Sequence, residues 1–171
     1  YNVAIGQSAM YGNASTTTAQ QNVAIGRQAL FAATSAEQSV AIGYDAGKAI
    51  TSANKTVAIG YQAGESITTG GDNVLIGHQA GKNTTGQYNV MMGKGAGSAN
   101  TTANSNVFIG NNAAAANQDG TQNTAVGFQA MYSNVSSTHN TILGYNAAQN
   151  MTAGWNTVIG NEAGFDMTTG D

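Results

Sequence analysis

Apolar and polar residues alternate in a short phrase that recurs along the whole chain. The phrase is clearest between Thr56 and Gly81, where TVAIGYQAGESITTGGDNVLIGHQAG contains the pattern xVxIGxQAG twice, seventeen residues apart. A fixed period of this kind is typical of solenoids and other repeat architectures, in which each repeat forms one supersecondary unit. The repeat must therefore be defined before any single motif is interpreted.

One glycine of the phrase marks each copy. The marker glycines are separated by 20, 17, 17, 17, 16, 17, 17, 17 and 16 residues, so ten copies fill residues 1–171 as one repetitive domain. They are Gly6, Gly26, Gly43, Gly60, Gly77, Gly93, Gly110, Gly127, Gly144 and Gly160. We call each copy a coil and count positions from its marker. Position −3 is then β-branched, −1 is aliphatic or Met, and +3 is always Ala.

Positions −4 to −1, typically Asn-Val-Ala-Ile, predict a short β-strand in every coil. A period of two directs Val and Ile to one face, and Asn and Ala to the other. Clusters such as Thr84-Thr85-Gly86 are turn signals between the strands. Seventeen residues cannot bury an apolar face alone, so we expect the coils to stack in parallel about 4.8 Å apart. The predicted fold is an all-β parallel β-roll solenoid of ten coils.

Stacking places like residues above like residues and so predicts columns of side chains. We assign the −3 and −1 columns to the core, the +3 alanines to a tightly packed column, and the −4 asparagines, replaced by Ser39 and Thr56 in two coils, to an amide ladder. The predicted core residues are Val3, Ile5, Val23, Ile25, Val40, Ile42, Val57, Ile59, Val74, Ile76, Val107, Ile109 and Ile159. The tight column contains Ala46, Ala63, Ala80, Ala113, Ala147 and Ala163. Additional core candidates are Met10, Leu30, Ile50, Ile67 and Met131.

Position −2 is Ala in half of the coils, and its larger apolar residues are Leu75, Met91, Phe108, Ile142 and Val158. They lie opposite the assigned core, and an apolar face there implies that another surface covers it. One coil also gains only about 2 kcal/mol per buried aliphatic side chain, against an ordering cost of about 1.5 kcal/mol per residue. We therefore expect a subunit interface on the −2 face.

The repeat N-V-A-I-G-x-x-A-G with a T-T-G turn resembles, over the whole chain, two groups of known repeats. These are the head repeat of trimeric autotransporter adhesins and the N-T-A-I-G-Y-Q-A-G arrays of phage and viral tail fibres. The resemblance implies a left-handed β-roll assembled as a parallel homotrimer. The seventeen-residue period, which is longer than that of the adhesin repeat, favours tail fibres, as do the variants at Asn140–Ala148 and Asn156–Gly164.

The implied function is non-enzymatic. We expect a structural segment of a longer fibre that attaches to a host-cell surface glycan or protein. Its location would be extracellular, in a virion tail fibre or, as the alternative, in the head of an adhesin on a bacterial cell surface.

Composition narrows the classes of partner. Only 8% of the residues are charged, the net charge is −3 and no cysteine is present. Five scattered Lys and Arg residues form no basic stripe for nucleic acid, and no apolar run approaches the length of about 18 residues that a membrane span needs. With 41% hydrophobic residues in strict periodicity, the chain is not of the disordered class. We expect no nucleic-acid partner and no membrane insertion.

Motifs that resemble catalytic sites fit their chemistry poorly. The stretches Gly43–Lys48 and Gly77–Lys82 resemble phosphate-binding loops, but three residues separate their glycines where four are needed. His78 and His139 have no second ligand at metal spacing, although a threefold axis would gather three copies of one histidine if it faced that axis. The hexapeptide repeat of left-handed β-helix acyltransferases places an aliphatic residue at three corners of every coil. In this chain only one corner in three carries such a residue. We expect no catalytic, cofactor or metal site, and no enzyme.

Two kinds of exposed column remain as candidate contacts. Tyr44, Tyr61 and Tyr145 at +1 and Trp155 at −5 would align with other aromatic residues, and such columns can pack against sugar rings or a partner's surface. A second hypothesis is a monomeric ice-binding solenoid whose Thr pairs order water, although intervening coils interrupt this ladder. The pairs are Thr17-Thr18, Thr68-Thr69, Thr84-Thr85, Thr101-Thr102 and Thr168-Thr169.

Overall fold

A computed structural model of the chain describes residues 1–12 and 18–168. Over these residues, ten three-residue strands form one parallel sheet in chain order, and no helix is present. The strands are β1 (Val3–Ile5), β2 (Val23–Ile25), β3 (Val40–Ile42), β4 (Val57–Ile59), β5 (Val74–Ile76), β6 (Val90–Met92), β7 (Val107–Ile109), β8 (Thr124–Val126), β9 (Thr141–Leu143) and β10 (Thr157–Ile159). The prediction of an all-β parallel solenoid is confirmed.

Neighbouring strands pair without any slip of register. Val57 lies between Val40 and Val74, so each position stacks on its equivalent in the next coil. The register is also kept across the twenty-residue repeat, where Val3 pairs with Val23, and across a sixteen-residue repeat, where Val74 pairs with Val90. The loops therefore absorb the differences in repeat length.

The chain leaves each strand at the marker glycine. All ten markers have φ between +126° and +145°. A Cβ on Gly60 would lie 2.5 Å from the backbone oxygen of Gly77 in the next coil, so the two backbones approach more closely than a side chain allows. The N–H of Ala63 then donates to the carbonyl oxygen of Gly60 at 3.3 Å, with Gln62 at a φ of +54°. This β-turn brings the +3 alanine to the inside of the coil.

The core of the solenoid contains position −2, and not the Val and Ile columns. Ala58, Leu75 and Phe108 are fully buried, whereas their neighbours at −3 and −1 are half-buried or exposed. The predicted period of two is correct, but the side chains face the opposite way. The core assignment is therefore wrong within the single chain for Val3, Ile5, Val23, Ile25, Val40, Ile42, Val57, Ile59, Val74, Ile76, Val107, Ile109 and Ile159.

Three inward positions, −2, +4 and +7, share the narrow core of each coil. Where −2 is Ala, a larger apolar residue stands at +4 or +7, as Ile50 does in the coil of Ala41. Where −2 is Leu, Met or Phe, +4 is Gly or Ala and +7 is Thr or Asn. A Cβ on Gly64 would lie 2.7 Å from Cδ1 of Leu75 and 2.9 Å from Cδ1 of Ile67. The variation at −2 thus reflects the filling of a close-packed core. It does not mark a subunit interface, which corrects our expectation.

The alanine column lies where the sequence predicts it. Ala46, Ala63, Ala80, Ala113 and Ala147 are fully buried, and Ala163 is partly buried against the core. The additional core candidates are confirmed as well, because Leu30, Ile50, Ile67 and Met131 are fully buried and Met10 packs against the same cluster. The alanine column and these additional core positions were therefore predicted correctly.

The predicted asparagine ladder at −4 is also present. Asn106 donates from Nδ2 to the carbonyl oxygen of Gly120 at 2.9 Å, and its Oδ1 accepts the N–H of Asn123 at 2.9 Å. Where the amide is replaced, Ser39 accepts the N–H of Thr56 on Oγ at 3.2 Å. Because these groups are buried, the ladder satisfies backbone donors that have no access to water.

A second ladder at +7 was not predicted. Asn100 donates from Nδ2 to Oγ1 of Thr84 at 2.6 Å, Asn117 donates to Oδ1 of Asn100 at 2.9 Å, and Asn134 donates to Oδ1 of Asn117 at 3.0 Å. All four side chains are buried. In the coils of Leu75, Met91, Phe108 and Ala125, a large −2 or +4 side chain fills the core and the polar residues at +7 are bonded to each other.

Replacing Asn106 with Ala is expected to lower the free energy of unfolding by about 1–3 kcal/mol, because the buried N–H of Asn123 loses its acceptor and the carbonyl of Gly120 keeps only the donor Asn117. Urea denaturation measures the change. Gln118→Ala, on the exposed surface, is the control and should change stability by less than about 0.5 kcal/mol. Equal losses in the two variants would contradict a structural role for the ladder.

Candidate interaction surface

The outer face of the sheet is an aliphatic stripe that follows all ten strands. Its −3 column is Val in β1–β7 and Thr in β8–β10, and its −1 column is Ile, Met, Val or Leu. The stripe is open to solvent, and the exposed fraction is 36% for Ile109 and 65% for Ile159. With strands about 4.8 Å apart and a width of about 10 Å, the stripe covers roughly 400 Å². A contiguous apolar patch of this size is often functional.

Two columns of side chains border the aliphatic stripe, one on each side. The +1 flank directly follows the marker glycines and contains Gln7, Arg27, Tyr44, Tyr61, His78, Lys94, Asn111, Phe128, Tyr145 and Asn161. The −5 flank precedes the buried −4 column and contains Tyr1, Gln21, Gln38, Lys55, Asp72, Tyr88, Ser105, Gln122, His139 and Trp155. Every one of these residues is exposed except His139, which is half-buried.

Aromatic rings on the +1 flank stack on one another along the rod. The ring centroids of Tyr44 and Tyr61 are 5.3 Å apart at an interplanar angle of 18°, and those of Tyr61 and His78 are 5.0 Å apart at 19°. The guanidinium of Arg27 lies 5.1 Å from the centroid of the Tyr44 ring and donates to its hydroxyl group. The faces of these rings are therefore covered by neighbours. Tyr44 and Tyr61 therefore present ring edges and hydroxyl groups to solvent. They do not present the open ring faces on which sugar rings pack.

The other two predicted contact residues lie on different flanks. Tyr145 stacks on Phe128 on the +1 flank, with centroids 5.2 Å apart. Trp155 stacks on His139 on the −5 flank, with centroids 3.9 Å apart and an angle of 4°, and its side chain is 77% exposed. The four aromatic residues singled out from the sequence therefore do not form one site, because the aliphatic stripe separates Trp155 from the rest.

Two stretches, Gly43–Lys48 and Gly77–Lys82, resemble phosphate-binding loops, and the lysine of each is paired with a carboxylate. Nζ of Lys48 lies 3.4 Å from Oδ2 of Asp45, and Nζ of Lys82 lies 3.5 Å from Oε2 of Glu65. Asp45 is only 4% exposed, and its second oxygen has no hydrogen-bond partner within the described residues. These lysines therefore compensate acidic side chains of their own chain.

Threonine hydroxyls in the loops link one coil to the next. Oγ1 of Thr51 donates to the carbonyl oxygen of Thr68 at 3.2 Å, and Oγ1 of Thr85 donates to that of Thr101 at 3.0 Å. Thr17 and Thr169, which belong to the proposed ice-binding pairs, lie outside the described residues. Of the described threonines in the proposed ice-binding pairs, Thr85 and Thr101 donate their hydroxyl protons to backbone carbonyl oxygens of the next coil.

The described residues contain no cavity and no group of three or more His, Asp or Glu side chains placed to hold a metal ion. His78 and His139 lie on opposite flanks. In residues 1–12 and 18–168, no helix is long and apolar enough to cross a membrane. A comparison with models of protein families, with curated proteins and with solved structures found no match for this chain.

Proposed function

We propose that this chain is a non-enzymatic structural segment of an attachment fibre, in which parallel copies associate through their aliphatic stripes. The observation that supports this is the stripe itself. Its coils present apolar side chains to solvent, although the chain's own core lies on the other side of the sheet. Covering roughly 400 Å² of apolar surface at about 25 cal/mol per Å² contributes about 10 kcal/mol per chain, before the costs of association.

A second copy of the same chain is a well-matched partner for the stripe. It is apolar, equally long and, in parallel orientation, has the same strand spacing at every level. Closed cyclic symmetry leaves none of the stripes exposed. The number three rests on the resemblance to tail-fibre and adhesin repeats. Three such copies, each turning its flat stripe towards one axis, would form a prism.

The fibre proposal favours a phage or viral tail fibre, with the head of a bacterial adhesin as the alternative. Ten coils spaced by about 4.8 Å extend about 43 Å from the first strand to the last. Backbone hydrogen bonds between successive coils make such a rod stiff, which suits a spacer or platform. Contact with a host-surface glycan or protein then falls to the loops outside the stripe, or to another part of the fibre.

The solution mass of the 171-residue chain tests this proposal. Light scattering after size exclusion is expected to give a mass near three times 17.3 kDa, unchanged on tenfold dilution. A stable monomer would contradict association through the stripe. It would favour a single-chain solenoid instead, and thermal hysteresis above that of a buffer control would then identify an ice-binding protein.

A further inference from the structure

The two flanks of the aliphatic stripe complement each other in three of the four coils whose flanks carry Lys, Arg or Asp. The −5 and +1 residues of these successive coils are Lys55 and Tyr61, Asp72 and His78, and Tyr88 and Lys94. Each lysine thus has an aromatic ring at the same level on the other flank, and the single acid has a histidine, whereas Arg27 has Gln21. No coil carries like charges on both flanks.

These charged side chains are not paired within their own chain. Lys55, Asp72 and Lys94 are exposed, and none of them forms an ion pair or a side-chain hydrogen bond with the described residues. The strand Val74–Ile76 lies between Asp72 and His78, and no ion pair joins these two side chains within the described residues.

We infer that the +1 flank of one copy packs against the −5 flank of the neighbouring copy, coil against coil, and that the unpaired charges of Lys55, Asp72 and Lys94 find their partners there. The inference rests on the parallel assembly proposed above. Rotation about a common axis carries each −5 flank next to a +1 flank at the same height, whatever the number of copies. The partner of each flank is thus a second copy of this chain.

The pairs that result are chemically matched. The carboxylate of Asp72 faces His78 of the partner subunit, and Lys94 of the partner subunit lies one coil away, about 4.8 Å along the rod. Lys55 faces Tyr61 of the partner subunit, whose hydroxyl oxygen can accept a hydrogen bond from the ammonium group. Tyr88 faces Lys94 of the partner subunit, which suits a cation–π contact.

The aliphatic stripe alone is too small for a standard interface. Its roughly 400 Å² is about half of the 800 Å² that each partner buries in a standard interface, so the flanks must supply the remaining contact area.

Paired cysteines test this arrangement, because the chain has no cysteine of its own. The variant Asp72→Cys/His78→Cys is first shown by light scattering to form the oligomer. It is then treated with a short bis-maleimide and denatured in SDS. Each copy is expected to be linked to both neighbours, so the monomer band should fall at least tenfold, in favour of a band near three times 17.3 kDa.

The matched control is Asp72→Cys/Asn161→Cys, which places the thiols on the same two flanks but five coils apart, about 24 Å. It should remain monomeric in SDS. An oligomer in which the Asp72/His78 pair is linked no better than this control would overturn the flank pairing and leave the fibre proposal standing. A wild-type chain that is monomeric before any cross-linking would overturn both.

Discussion

Ile59→Asp is expected to abolish association and leave the coils folded, whereas Ala63→Asp is expected to unfold the chain. Ile59 lies on the aliphatic stripe and is only half-buried, so a carboxylate there stays hydrated in the single chain. In the proposed assembly it would be desolvated against apolar side chains of another copy, which is unfavourable by several kcal/mol in every subunit.

Ala63 is in a different environment, although it lies only four residues further along. It is fully buried in the alanine column between Ala46 and Ala80. An unpaired carboxylate there has neither space nor a partner, and its desolvation is comparable to the whole stability of about 5–15 kcal/mol that a domain possesses.

Circular dichroism and light scattering together separate the two outcomes. Ile59→Asp should keep the β spectrum and give the mass of one chain, whereas Ala63→Asp should lose the spectrum. Ile59→Val is the matched control, because it keeps the stripe apolar, and it should retain the oligomer. If Ile59→Asp lost its β structure as Ala63→Asp does, the stripe would belong to the core of the single chain.

Phe108→Ala is expected to lower the free energy of unfolding by about 3–5 kcal/mol, and adding Ala114→Met is expected to recover more than half of this loss. Phe108 is the largest fully buried side chain, so its removal leaves a cavity. The double variant reproduces the arrangement of the next coil, where Ala125 at −2 is combined with Met131 at +4, and both coils carry Asn at +7. The backbone at +4 is similar in the two coils, with φ of 47° at Ala114 and 58° at Met131.

A double-mutant cycle in urea measures this compensation. Ala114→Met alone should be destabilising by about 1–3 kcal/mol, since it overfills a core that already contains Phe108. The two substitutions must therefore show a favourable coupling. Additive losses would mean that positions −2 and +4 do not share one volume.

The candidate interaction surface was predicted only in part. The sequence placed aromatic residues in columns, and the stacked rings of Tyr44, Tyr61 and His78 agree with this. The sequence does not show that the rings stack about 5 Å apart, with each ring covering the face of the next. The aliphatic stripe was missed as a surface because its residues had been assigned to the core.

The sequence by itself determined the strands, their parallel stacking and the columns that depend on size or hydrogen bonding. The marker glycine, the +3 alanine and the −4 asparagine recur at fixed intervals, and their roles follow from close backbone approach, lack of space and amide pairing, which are the same in every coil. Only the tertiary structure decided which face of the sheet is inside. Both faces of a strand such as Val-Leu-Ile are apolar, so alternation does not distinguish them. The choice depends on the summed volume of −2, +4 and +7, and these three positions meet only when the coil has closed.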